Sequence, residues 1–105
     1  MIKIGHIKDI DDVPIPSCII DSVREDLESL DYYYGENRDI DKDMGGFIII
    51  CAKFETLHVP NFDENIGEAE YTESIGQYQK SLYISGTERN IIIYRCLNDE
   101  RMLHM

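Results

Sequence analysis

Gly46-Phe47-Ile48-Ile49-Ile50-Cys51-Ala52-Lys53 is the most apolar run of the chain, and both of its alternating sets are apolar. A strand with one wet face alternates between apolar and polar residues, whereas a strand covered on both sides does not. The run therefore reads as a central strand, with one face on a helix and the other at least partly covered. The helix comes just before it. Ile19, Val23, Leu27, Leu30 and Tyr34 recur at steps of four, four, three and four, the period of one helix face. Asp21, Glu25 and Glu28 recur on another face and should look out to water. Pro16 and Ser17 resemble a helix start, since proline is tolerated in the first turn. Gly35 is well placed as the stop. The spacing predicts a helix over about residues 16–33.

The remaining segments fall into place around these two. Residues 2–10 alternate roughly and suit a short edge strand, ended by Asp9, Asp11, Asp12, Pro14 and Pro16. Residues 54–67 hold Pro60, Asn61, Asn65 and Gly67 and read as irregular. Residues 69–75 look like a half-exposed strand carrying Tyr71 and Ile75. Residues 80–85 alternate, residues 86–89 turn the chain, and residues 90–96 form a second strongly apolar strand, so these two runs should pair as a hairpin. The tail from Leu97 is expected to make one helical turn. The economical arrangement is a single α+β domain over residues 1–105. One long helix lies across one face of a mainly antiparallel sheet of four to five strands.

A chain of 105 residues, 43% of them hydrophobic, is one domain with one core. Asp plus Glu number 21 against 10 Lys plus Arg, a formal charge of −11. A field of that sign repels phosphate and disfavours direct nucleic-acid binding. It suits a basic partner, a metal ion, or a protein whose normal ligand is nucleic acid; it also simply keeps a protein soluble. Cys18, Cys51 and Cys96 are odd in number and far apart, which argues for reduced thiols rather than a disulfide framework. The N-terminus lacks a secretory signal and no segment approaches 18 consecutive apolar residues. The expectation is a cytoplasmic protein, monomer or homodimer, with no membrane contact.

The approach to the central strand carries the densest chemistry. Asp39, Asp41 and Asp43 occupy the first, third and fifth places of a calcium-loop pattern, where alternate oxygen ligands converge if the backbone wraps the ion. The match then fails. Met44 stands where the sharp turn needs glycine, and Ile50 stands where a bidentate glutamate should close the site. The simpler reading is an Asx-rich turn, in which aspartates accept backbone N–H groups and Arg38 pairs with one of them. Calcium stays an alternative on these three residues, and no other cofactor is expected.

Tyr34-Gly35-x-x-Arg38-Asp39-x-Asp41-x-Asp43-x-Gly45-Gly46-Phe47, Glu70-Tyr71-x-Glu73-x-Ile75-Gly76-x-Tyr78 and Leu82-Tyr83-Ile84-Ser85 together resemble a group of short proteins of Gram-positive bacteria, often met near mobile elements. The resemblance spans roughly residues 22–95. It implies that the Asp-rich turn belongs to the design of the fold, and it transfers no function. The chain departs from the group in its acidic 61–70 segment and its Arg-Cys ending.

Signs of catalysis are missing. A reactive thiol needs an exposed, electropositive setting with a base nearby. Cys51 and Cys96 instead sit inside apolar strands of an acidic protein, and His6, His58 and His104 lie outside the long helix and the two apolar strands. Gly45-Gly46 precedes a strand, the wrong side for phosphate binding. Three acidic clusters remain: Asp21, Glu25 and Glu28 on the helix; the Asp39–Asp43 turn; and Asp63, Glu64, Glu68, Glu70 and Glu73. Duplex DNA carries one charge per ~1.7 Å of axis, and dispersed carboxylates on a small protein imitate it. These eight helix and loop residues are the candidate surface for a protein partner with a basic face. The sharper expectation is an inhibitor, immunity or anti-defence protein covering a nucleic-acid-binding site. The alternatives are a calcium-responsive structural module using the Asp39–Asp43 turn, a structural protein with no further assigned function, and a thiol enzyme using Cys51 or Cys96.

Overall fold

The computed structural model describes residues 1–42, 44–85 and 89–98. Among the described residues there are one α-helix, α1 (Ile20–Tyr34), and five strands: β1 (Ile2–Ile4), β2 (Phe47–Cys51), β3 (Tyr71–Ile75), β4 (Tyr78–Ile84) and β5 (Asn90–Cys96). Short 3-10 turns occupy Ile7–Asp12 and Ile40–Lys42. The strands form one sheet in the order β1-β2-β5-β4-β3. The α+β architecture is as the sequence reading had it.

The sheet is mixed rather than purely antiparallel. β2 and β5 run parallel, with Phe47 opposite Ile91 and Cys51 opposite Arg95, while β1 with β2, β3 with β4, and β4 with β5 are antiparallel. The cause is the connection. The chain leaves β2 through residues 52–70, starts again at the far edge, and folds back strand by strand until β5 lies against β2. A parallel neighbour always needs such a long crossover. β5 takes the centre because all of Ile91, Ile92, Ile93 and Tyr94 are buried.

Alternation sorts the two faces. On the helix side, Val23, Leu27 and Leu30 pack against Ile4, Ile48, Ile50, Ile92 and Tyr94. On the far side, Phe47, Ile49, Cys51, Ile91 and Ile93 pack against Val59, with Leu57, Phe62, Ile40 and Tyr83 at the margin. The irregular 52–70 segment is therefore the second cover that a doubly apolar β2 requires.

Several boundaries moved. The helix begins at Ile20, not near residue 16: Pro16 instead closes a turn in which its carbonyl accepts the Ile19 N–H at 3.1 Å. The first strand stops at Ile4, because residues 7–12 coil into the 3-10 turn and bury Ile10. β4 begins at Tyr78, two residues early, since Gly76-Gln77 makes a tight hairpin turn after Ile75. The tail beyond Asn98, with its expected helical turn, lies outside the described residues. The helix end is as read: Gly35 takes φ +96 and donates its N–H to the Asp31 carbonyl at 3.0 Å. Gly46 is needed for contact. A Cβ there would lie 2.4 Å from Leu30 Cδ2 and 2.9 Å from the Asn90 carbonyl oxygen, so a side chain would have to displace Leu30 and press on the backbone at the start of β5.

Candidate functional site

The Asp-rich turn forms as a local hydrogen-bonded unit. Asp39 Oδ1 accepts the Asp41 N–H at 3.0 Å. The Asp39 carbonyl accepts from Lys42 and Met44, both at 3.3 Å. Asp39 and Asp41 are exposed, and Asp43 lies outside the described residues. Among the described residues, no three His, Cys, Asp or Glu side chains gather where they could hold a metal ion. Millimolar calcium is expected to raise the melting temperature by less than a degree or so, since the loop lacks its glycine and its closing glutamate. Saturating a real site at 100-fold over its dissociation constant would add about 2.7 kcal/mol. A rise of several degrees that Asp41→Asn abolishes would establish the calcium reading instead.

Arg38 does not pair with the turn aspartates as the sequence reading expected. It turns inward, where a buried carboxylate holds it. Arg38 Nη1 donates to Asp31 Oδ1 at 2.8 Å and to the Gly35 carbonyl at 2.8 Å, Nε donates to the Gly46 carbonyl at 3.1 Å, and Nη2 donates to the Gly5 carbonyl. Asp31 also accepts the Ile7 N–H at 2.9 Å. His6 Nδ1 meets the same carboxylate at 3.0 Å, and its Nε2 meets the Arg38 carbonyl at 2.8 Å. Burial pushes the Asp31 carboxyl up, but the Ile7 N–H, Arg38 and His6 together outweigh it and hold the group below its ordinary range. This knot joins the end of β1, the end of α1 and the entry to β2. It sits on the helix stripe four residues after Leu27, and a carboxylate at such a position is itself a sequence signal for a buried partner.

A second buried network lies between α1 and the sheet. Lys80 Nζ donates to Asp26 Oδ1 at 2.9 Å, the Tyr94 hydroxyl donates to the other Asp26 oxygen, and Ser22 Oγ lies 2.6 Å from the same hydroxyl. Burial and the Asp26 carboxylate push the Tyr94 phenol far up, so it acts as a donor and not as a base. No sequence period reveals this group, because Asp26 and Lys80 lie 54 residues apart. Among the described residues, no buried side-chain nitrogen or oxygen lacks a hydrogen-bond partner. Both networks are satisfied fastenings.

The thiols separate clearly. Cys51 and Cys96 are buried and Cys18 is exposed. Burial pushes the Cys51 thiol up to about 11, despite Arg95 nearby. A fast-labelling thiol would therefore be Cys18, and only fast labelling of Cys51 or Cys96 would support a thiol enzyme.

The acidic candidates are not gathered onto one face. Asp21, Glu25 and Glu28 are exposed along the outer side of α1. Glu28 also walls a groove of about 320 Å³ with Ile7, Lys8, Asp31, Tyr32 and Glu36. Asp63 and Glu64 follow Phe62 on the far side of the sheet, and Glu64 is paired with Arg95, which is itself anchored on the Ala52 and Glu55 carbonyls at 3.0 and 2.9 Å. Glu68, Glu70 and Glu73 are exposed at and near β3. Comparison with protein-family models, with curated proteins and with solved structures finds no match. Among the described residues, no helix is long and apolar enough to cross a membrane.

Proposed function

We propose that this chain works by binding another protein, and that the partner presents a basic surface. The observation that carries the reading is the row Asp21, Glu25 and Glu28, exposed on a helix whose opposite side is locked to the sheet. Carboxylates carried on a helix that is locked in place are pre-ordered for a basic partner, and a net charge of −11 adds long-range attraction. In its sharper form, the chain is an inhibitor, immunity or anti-defence protein of mobile-element origin. It acts in the cytoplasm and covers a nucleic-acid-binding site of its target. The composition supports this form, because a surface that repels nucleic acid is complementary to one that binds it.

Affinity capture from the native host at low and high salt, with the partner identified by mass, is the direct test. Attraction of this kind is screened over about 8 Å at physiological salt, so capture should weaken as salt rises. Reversing Asp21, Glu25 and Glu28 to Lys should leave the fold intact and slow association at least about tenfold. Reversing the exposed Lys8, Lys42 and Lys53 to Glu should not slow it. An unchanged, salt-indifferent association rate for the helix variant would reduce this face to solvated surface.

A further inference from the structure

We infer that the outer edge of β3 is a strand-pairing site whose occupant is an extended basic segment of the partner protein, with Lys or Arg at alternate positions. The inference rests on the partner-binding reading above and names a surface for it. β3 ends the sheet, and among the described residues β4 is its one neighbour.

Two contacts fix which backbone groups face outward. The Leu97 N–H donates to the Gln77 carbonyl at 2.7 Å, and the Ser85 N–H donates to the Arg89 carbonyl at 3.1 Å. The odd-numbered positions along β4 therefore bond to β5, and Tyr78, Lys80 and Leu82 bond to β3. The Leu82 carbonyl also faces β3: it accepts the Glu70 N–H at 2.7 Å, one residue ahead of the Tyr71–Leu82 pair at which the strand register begins. Opposite Tyr78, Lys80 and Leu82 stand Ile75, Glu73 and Tyr71. The backbone N–H and C=O groups of Thr72 and Ser74 consequently point away from the sheet, ready for another strand.

Charge selects the occupant. Glu68, Glu70 and Glu73 are exposed along this edge. The nearby Lys80 does not offset them, because its ammonium is 2.9 Å from Asp26 and tucked beneath the Tyr71 and Tyr94 rings. A second copy fits badly. Glu73 is the middle residue of β3, so antiparallel self-pairing centred there sets Glu73 against itself, and like charges directly opposite are destabilising. A Lys or Arg at that position turns the same contact favourable. The other edge, β1, is only three residues long and carries Lys3.

The test is an amide NMR titration of the full chain with a synthetic Thr-Lys-Val-Lys-Thr-Lys-Val peptide and with its Glu-for-Lys counterpart. The basic peptide should shift the Thr72 and Ser74 amides first and slow their exchange, and the acidic one should not bind. Ser74→Pro removes an outward N–H and no β3–β4 hydrogen bond, and proline is tolerated on sheet edges. It should weaken the basic peptide about tenfold, the effect of one lost ladder bond, with the melting temperature held. Glu73→Gln, which leaves the backbone untouched, should also weaken it. Shifts confined to the Asp21, Glu25 and Glu28 face would overturn the edge site while leaving the partner-binding reading in place. Absent or charge-indifferent peptide binding, or full affinity in both variants, would also overturn it. Loss of host capture with the peptide still seated on β3 would instead count against the partner reading.

Discussion

Arg38→Met should cost the protein about 3–5 kcal/mol, the usual penalty for stripping the partner from a buried ion. The total stability of a domain this size is about 5–15 kcal/mol, so the variant should lie near the edge of folding. The methionine keeps the stem of the side chain but leaves Asp31, 8% exposed, without its guanidinium. Three backbone carbonyls, those of Gly5, Gly35 and Gly46, lose their donor at the same time. Urea denaturation checks the magnitude, and a midpoint within error of wild type would mean that the knot does not hold the fold. Asp31 also sets the acid limb. Its folded-state carboxyl is held below the ordinary value of 3.8, so its contribution is fully present above that value. It fades as pH falls through the lower folded-state value. Asp31→Asn should lose stability at neutral pH and flatten the decline below pH 3.8. A decline as steep as that of wild type would assign acid unfolding to other carboxylates.

Val23→Asp and Ile92→Asp should each abolish cooperative folding. Val23 is wholly buried and Ile92 is 6% exposed, and both belong to the cluster between α1 and the sheet. A carboxylate without a partner costs several kcal/mol there, either as a desolvated ion or as a proton it must take up. Far-ultraviolet circular dichroism should show the helix signal lost or the urea transition collapsed. If both variants kept wild-type transitions, the helix-side core described above would be wrong.

What could be read from the sequence was whatever repeats over short distances. The Ile19–Tyr34 stripe located α1, because a helix writes its buried face into the chain every three or four residues. The doubly apolar Phe47–Cys51 run located β2 and required a second cover. The hairpin of β4 and β5 was legible from an alternating run, a polar turn and a strongly apolar run. The parallel pairing of β2 with β5 was not, since which strand sits beside which depends on contacts between residues more than forty apart. Arg38 was assigned to its nearest acidic neighbours and belongs to Asp31, seven residues back on the helix. Local charge proximity favoured the turn, but burial decided the outcome, because an interior carboxylate gains far more from a guanidinium than a solvated one does. The outward carboxylates Asp21, Glu25 and Glu28 followed directly from the helix period. The outward backbone of β3 did not, since it depends on hydrogen-bond phase, which side-chain pattern does not record.

The position of β5 has a consequence for how the chain is made. Ribosomes deliver β1, α1 and β2 first, then the edge pair, and the strand that fills the gap between β2 and β4 emerges after all four of the strands it unites. Until it arrives, the isoleucine-rich β2 has no neighbour on one side, and nascent chains stalled between the end of β4 and the start of β5 hold two unjoined half-sheets. Folding is therefore all-or-nothing with respect to translation. Chains that end before β5 is complete lack the strand that joins the two halves and are sticky fragments for the cell's proteases, not a weakened version of the protein.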